Sequence, residues 1–151
     1  MRLVRFAVNN YRCIEGGLEQ NIINFDNSHT IFIFGQNNVG KSSFLKAYQT
    51  YYESSVTDED FSFVYGEEQR KNIEMELWLL VEEATDRELI DARSNKKYDS
   101  LTNFLDNGTL KVKRIWSDPK SAKNFTLNPS TNEWEEKNYG GIGLDQVFQS
   151  M

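Results

Sequence analysis

"IFIFGQNNVGKSSF", residues 31–44, decides how this chain is read. Thr30–Phe34 is a short continuous run of β-branched and aromatic residues, the pattern of a strand buried on both faces, as in a parallel sheet. It breaks into glycine, asparagine, lysine and two serines. After Gly40 the period changes. Phe44, Ala47, Tyr48 and Tyr51 recur at spacings of three and four, which predicts a helix of about three turns ending before "SSVTDED". Strand, polar loop and helix follow one another with nothing between them.

The loop, Gly35-Gln36-Asn37-Asn38-Val39-Gly40-Lys41-Ser42, fits G-x-x-x-x-G-K-[ST], the Walker A or P-loop pattern. Each residue type has a chemical reason. A phosphate chain needs several N–H donors converging on one point, and a curled loop at a helix N-terminus supplies them. Gly35 and Gly40 allow backbone angles and close approaches that a Cβ would block. Lys41 brings positive charge to the β- and γ-phosphates, Ser42 offers a hydroxyl to Mg²⁺, and Ser43 is a weaker candidate for an α-phosphate oxygen. The expected ligand is a nucleotide polyphosphate with Mg²⁺.

The 151 residues suffice for one compact domain that buries roughly 70% of its unfolded surface. No stretch of about 18 apolar residues exists, so no membrane span or membrane partner is expected. "MRLVRFAVNN" has neither the long apolar run nor the small-residue site of a secretory signal. Cys13 is the only cysteine, which rules out an internal disulfide and makes a reducing cytoplasm the plain inference. A net charge of −6 opposes general affinity for phosphate backbones. "LKVKRIW" gathers Lys111, Lys113 and Arg114. The solvated face of a strand is its plain reading, and a local basic patch the alternative.

Elsewhere, Val4, Phe6 and Val8 alternate with Leu3, Arg5 and Ala7 as a strand, Glu15–Leu18 is a turn, and "LEQNIINF" is a second strand closed by Asp26-Asn27-Ser28. Ile73, Met75, Leu77 and Leu79 alternate with Glu74, Glu76 and Trp78, a half-exposed antiparallel strand. Thr85-Asp86-Arg87-Glu88 reads as a capping box opening a helix to about Tyr98. Leu101–Asp106 reads as a further helical piece stopping at Asn107-Gly108. "TLKVKRIW" is a strand, two extended arms flank Asn128-Pro129-Ser130, "YGGIGL" is a loop, and Leu144–Met151 opens another helix.

"FAVNNYRCIEGG" ahead of "IFIFGQNNVGKSSFLKAYQTYY" resembles the N-terminus of SMC/RecF/OLD-like ABC-type ATPases. Members begin with a strand, then N-[FY]-R, a second strand, and a loop of the type G-x-N-x-x-G-K-[ST]. Asn10-Tyr11-Arg12, Asn37, Asn38 and Ala47 fall into place, and "DEDF" looks most like the OLD-type, AAA-labelled branch. The resemblance covers about residues 1–62. It implies an α/β P-loop NTPase fold of ABC-ATPase type, here partial, with a strand–loop–helix core and an antiparallel β-subdomain. It implies ATP on the P-loop and a second head closing over the γ-phosphate in a homodimer. Arg12 matches an arginine near the phosphates or base in relatives, against the plainer reading of a surface charge at a strand end. Action on DNA, in repair or phage defence, comes from the resemblance alone.

Such an ATPase also needs a Walker B carboxylate, a catalytic glutamate, a Q-loop glutamine, a signature motif and a switch histidine. "LWLLVEE" (Leu77–Glu83) has the outline of a Walker B strand, but Glu74 and Glu76 spoil its burial and Glu82 stands where aspartate belongs. "YGGIG" lacks the signature serine. His29 precedes the P-loop strand, and Gln69 and Gln146 fit no Q-loop position. Asp58-Glu59-Asp60 reads as a solvated acidic turn rather than a metal or adenosine contact. Residues 1–151 are therefore expected to be the N-terminal portion of one ATPase head whose signature, Walker B and switch elements lie outside this chain. The alternatives are a complete small P-loop kinase or NTPase using Glu82 and Glu83, and a non-enzymatic interaction module with a vestigial P-loop. A guanine-reading motif is absent, since "SNKKYDS" has Tyr98 where aspartate is required.

Overall fold

The computed structural model describes residues 1–25, 30–34, 36, 40–62, 70–93 and 98–136. Among these, seven strands form one sheet: β1 (Arg2–Asn9), β2 (Ile22–Asn24), β3 (Ile73–Leu80), β4 (Leu105–Asp106), β5 (Thr109–Asp118), β6 (Ser121–Asn128) and β7 (Glu133–Glu135). Their order is β2-β1-β3-β5-β6-β7, with β4 on β5, and each pairing is antiparallel. Three helices accompany it: α1 (Lys41–Glu53), α2 (Glu83–Arg93) and α3 (Tyr98–Leu101).

The two faces of the sheet follow from side-chain alternation. Phe6 stands beside Leu77 and Leu77 beside Val112, while Val8, Met75 and Arg114 form the next row. This is the core face, and α1 lies on it. The Phe44 and Tyr48 rings meet Phe6 edge-on at 6.2 and 5.5 Å, and Tyr51 meets Trp116 at 6.4 Å. The opposite face carries Arg5, Trp78 and Lys111 in one row and Ala7, Glu76 and Lys113 in the next. Arg5 and Lys111 stand 4.4 and 4.6 Å from the Trp78 ring centroid, and Lys113 4.1 Å from that of Trp134.

This arrangement resolves "LKVKRIW". Lys111 pairs with Asp106 at 2.9 Å and Lys113 with Glu76 at 3.7 Å. Arg114 is not on a solvated face. It alternates with the lysines, so it points into the core with Val112 and Trp116 and is 3% exposed. β3 is likewise more covered than a half-exposed strand. It lies between β1 and β5, and Glu76 is buried, accepting a 2.6 Å bond from the Trp78 indole N–H.

Three local expectations are corrected. α2 starts at Glu83, ahead of the Thr85 box, because the Asp86 carboxylate reaches back 2.8 Å to the Glu82 amide and also pairs with the Met1 ammonium. Leu101–Asp106 is not one helical piece. α3 passes into a 3₁₀ turn at Thr102–Phe104 and then into β4. Asn107-Gly108 is therefore a two-residue hairpin turn, with φ of 49° and 78°, the geometry that favours Asn-Gly between twisted strands. A Cβ on Gly108 would have room, 3.5 Å from the Val81 carbonyl, so the cost of Gly108→Ala is conformational. About 1–2 kcal/mol of unfolding free energy is the expected loss by urea denaturation.

The third correction concerns Ile31–Phe34. It forms no ladder with any described residue, and Phe32 and Phe34 are 75% and 86% exposed. A strand covered on both faces needs neighbours on both edges, and the described sheet ends at β2 without reaching this segment. The other side is only partly covered, with Ile31 half-buried and Ile33 36% exposed. Ile31 and Ile33 line a 330 Å³ cavity with Phe6, Ile23, Phe25 and Phe44. The parallel core expected around this segment is not formed among the described residues.

Candidate nucleotide site

β1 ends in a tight turn. Tyr11 and Ile14 exchange both backbone hydrogen bonds, at 3.2 and 2.9 Å, leaving Arg12 and Cys13 at the tip. Arg12 sits at φ 54°, a left-handed conformation that costs a non-glycine residue about 1 kcal/mol. The tip abuts the start of α1. The Cys13 sulfur lies 3.5 Å from the Ser43 hydroxyl, and a Cβ on Gly40 would come within 3.5 Å of it. Gly40, at φ 90°, is the residue from which α1 departs. The fully buried Tyr11 anchors the turn from beneath, its hydroxyl 3.0 Å from that of Thr50 on α1. Burial raises the Tyr11 phenol above its ordinary range, and Thr50 only partly offsets this.

At the start of α1, Gly40 offers no side-chain cap and the first turn contains no acidic residue. The Lys41 ammonium folds back onto the Gln36 carbonyl. Ser42 and Ser43 occupy the first turn. Gly35, Asn37, Asn38 and Val39 lie outside the described residues, as do His29, Gln69, Gln146, "YGGIG", Leu144–Met151 and Asn95–Lys97.

Arg12 is not a loose charge at a strand end. Its Nε donates to Asp60 Oδ1 at 2.8 Å, its amide to the Asp60 carbonyl at 2.8 Å, and its carbonyl accepts from the Ser62 hydroxyl at 2.6 Å. Asp60 in turn departs from the solvated acidic turn expected of Asp58-Glu59-Asp60. It is 3% exposed, and its Oδ2 accepts from the Thr57 amide and hydroxyl at 2.9 and 3.1 Å. The reason is local. Thr57 and Asp60 bracket a 3₁₀ turn that rolls Asp60 inward beneath Arg12, while Asp58 remains outside, paired with Arg70. The threonine–x–x–acid spacing after α1 was the available sequence signal for this buried group.

Burial alone would raise the Asp60 carboxyl. The Thr57 amide, then Arg12, then the Tyr11 and Thr57 hydroxyls overcome it, and the net displacement is below the ordinary 3.8. The same bond holds the Arg12 guanidinium above its usual range. A carboxyl depressed on folding stabilises the native state above its unfolded pKa, and that contribution fades as pH falls through the folded value. Asp60→Asn is thus expected to flatten the loss of stability below about pH 4, read from urea midpoints between pH 3 and 6.

Glu82 and Glu83 take no part in this cluster. Glu82 precedes α2 with its amide bound by Asp86, and Glu83 pairs with Arg87 at 2.7 Å. β3 runs within an antiparallel sheet, the wrong setting for a Walker B strand. Among the described residues no group of three metal-ligating side chains assembles, and no helix is long and apolar enough to cross a membrane.

No curated protein matches the sequence. Among solved structures, the chain is similar to one described under ATP-driven dimerization and DNA-stimulated activation of SMC ATPases. The TM-score is 0.57 at 13% identity, over 97% of this chain and 80% of that one. At that identity the likeness concerns fold alone. The family model of the AAA ATPase domain matches residues 1–142, nearly the whole length, and the chain belongs to that family.

Proposed function

We propose that this chain is the ATP-binding N-terminal portion of an SMC/RecF/OLD-like ATPase head, with the OLD-like branch favoured by "DEDF". The observation that carries this reading is the start of α1. A left-handed Gly40 opens a helix whose first turn holds no acid and no side-chain cap, with Lys41 turned back over the loop. The amides that open a helix and a lysine are what a polyphosphate requires. Gly35 to Ser43 would bind ATP, Arg12 would join from the neighbouring turn, and the Ser42 hydroxyl would serve Mg²⁺. Bound Mg²⁺ would neutralise charge on the phosphates.

The remainder of the head, with Walker B, signature and switch elements, would complete the site. A second head would close over the γ-phosphate in a homodimer, and hydrolysis would control action on DNA in repair or phage defence. The exposed Phe32 and Phe34, in an apolar segment that forms no ladder with the described residues, support a head completed by further structure. Weak turnover by this chain alone is the expected result.

Thermal unfolding with MgATP tests the core of the reading. Ligand at 100 times Kd adds about 2.7 kcal/mol. No shift at millimolar MgATP would favour the non-enzymatic module instead.

A further inference from the structure

We propose that Asp60, with Ser62 as a second support, is a positioning residue that aims Arg12 at the polyphosphate bound by the P-loop. The inference rests on the ATP-binding reading above and adds to it a device that the motif does not contain.

Three bonds from one segment fix Arg12: its amide to the Asp60 carbonyl, its carbonyl from the Ser62 hydroxyl, its Nε to the Asp60 carboxylate. A backbone bridge between Tyr11 and Phe61 completes the brace. The ion pair uses only the inner Nε. The guanidinium carbon lies 5.5 Å from the Tyr11 ring centroid, the Nη edge takes no part in the ion pair, and the side chain is 40% exposed. That edge belongs to the turn whose next residue, Cys13, touches Ser43 and approaches Gly40. Arg12 is therefore held at its Nε, with a partly exposed fork of the kind that suits phosphate oxygens.

The alternative role for Asp60, a ligand for the nucleotide's metal ion, does not fit. Oδ1 is taken by Arg12, and Oδ2 by two donors from Thr57. Its charge lowers the long-range pull of Arg12 on an anion, so its benefit must be geometric. A guanidinium fixed in advance loses less rotamer freedom when it binds. The left-handed backbone at Arg12 agrees with this, because strain is retained where surrounding bonds over-determine it.

The test is a double-mutant cycle on the full chain, with Arg12→Ala, Asp60→Asn and the double variant, measuring affinity for MgATP and for AMP. Asp60→Asn is expected to weaken ATP about tenfold and AMP less than about twofold, and to have no further effect once Arg12 is alanine. A merely structural loss would weaken both ligands alike. Equal loss in both backgrounds, or unchanged ATP affinity in folded Asp60→Asn, overturns the proposal. Should Asp60→Asn fail to fold, Ser62→Ala keeps the carboxylate and replaces it in the cycle. A loss of ATP affinity of about threefold that vanishes with Arg12→Ala supports the brace, and any other result overturns it. Lys41→Ala separates the two readings. If it abolishes ATP binding while the cycle is additive, only the brace falls. If the unmodified chain does not bind ATP, both fall.

Discussion

Arg114→Ala is expected to lower the free energy of unfolding by about 2–4 kcal/mol, the scale for losing the hydrogen bonds of a buried charged group. The guanidinium is buried and donates to Asn124 Oδ1 at 2.6 Å, to the Tyr51 carbonyl at 2.7 Å and to the Ser54 hydroxyl. It also lies 4.7 Å from the Tyr51 ring centroid and 5.6 Å from that of Trp116. No described carboxylate pairs with it, so the charge is stabilised by neutral acceptors and ring faces. Two of those acceptors belong to the end of α1. The last turn of α1 contains no basic residue of its own, and Arg114 of β5 supplies the cation that a helix C-terminus favours. Truncation strands the buried Tyr51 carbonyl and unpins the helix whose other end carries Lys41. Urea denaturation measures the loss, and a cost under about 1 kcal/mol would contradict this account. Arg114→Met, which fills the space but supplies no donor, is expected to recover only part of it.

Lys41→Ala is expected to do the opposite: little to the free chain and much to its ligand response. The ammonium is exposed in the free chain and bonded to the Gln36 carbonyl, so intrinsic stability should change by no more than about 0.5 kcal/mol. A charge-assisted contact to a polyphosphate contributes more, and ATP affinity should fall on the order of 100-fold. At a ligand concentration of 100 times the original Kd, stabilisation would then drop from about 2.7 to about 0.4 kcal/mol. Matched thermal scans with and without MgATP read both quantities. A variant that keeps the full shift would remove Lys41 from the site.

The contrast between these residues shows what the sequence made legible. The place of Lys41 at the head of α1 was readable because its signal is local: a spacing, a glycine and a change of period within a few residues. α1, β1, β3 and β5 were readable for the same reason, since side-chain alternation and helical recurrence are written into neighbouring positions. Arg114 was not, because its meaning depends on α1 and β6, which come beside it only in the folded sheet. Asp60 looked like one of three solvated acids, and only the roll of the Thr57 turn separates it from Asp58. The Asn107-Gly108 pair was given to a helix end, although Asn-Gly marks a hairpin equally well, and the short β4 carried too little pattern to decide. Thr30–Phe34 went the other way. Its composition states a strand buried on both sides, and the described residues cover one side only in part.

The β1–β3 ladder has a consequence for how the molecule is made. β4, β5, β6 and β7 follow one another through short turns and can zip as each emerges from the ribosome. β1 leaves first, yet its long partner β3 begins only at Ile73. Until then only the three-residue β2 can pair with β1, although α1 can already meet Phe6, and the closure that follows spans residues 10–72, an entropic delay typical of non-local pairing. The edge of β1 that β3 will occupy thus stays unpaired until Ile73 and the residues after it are made.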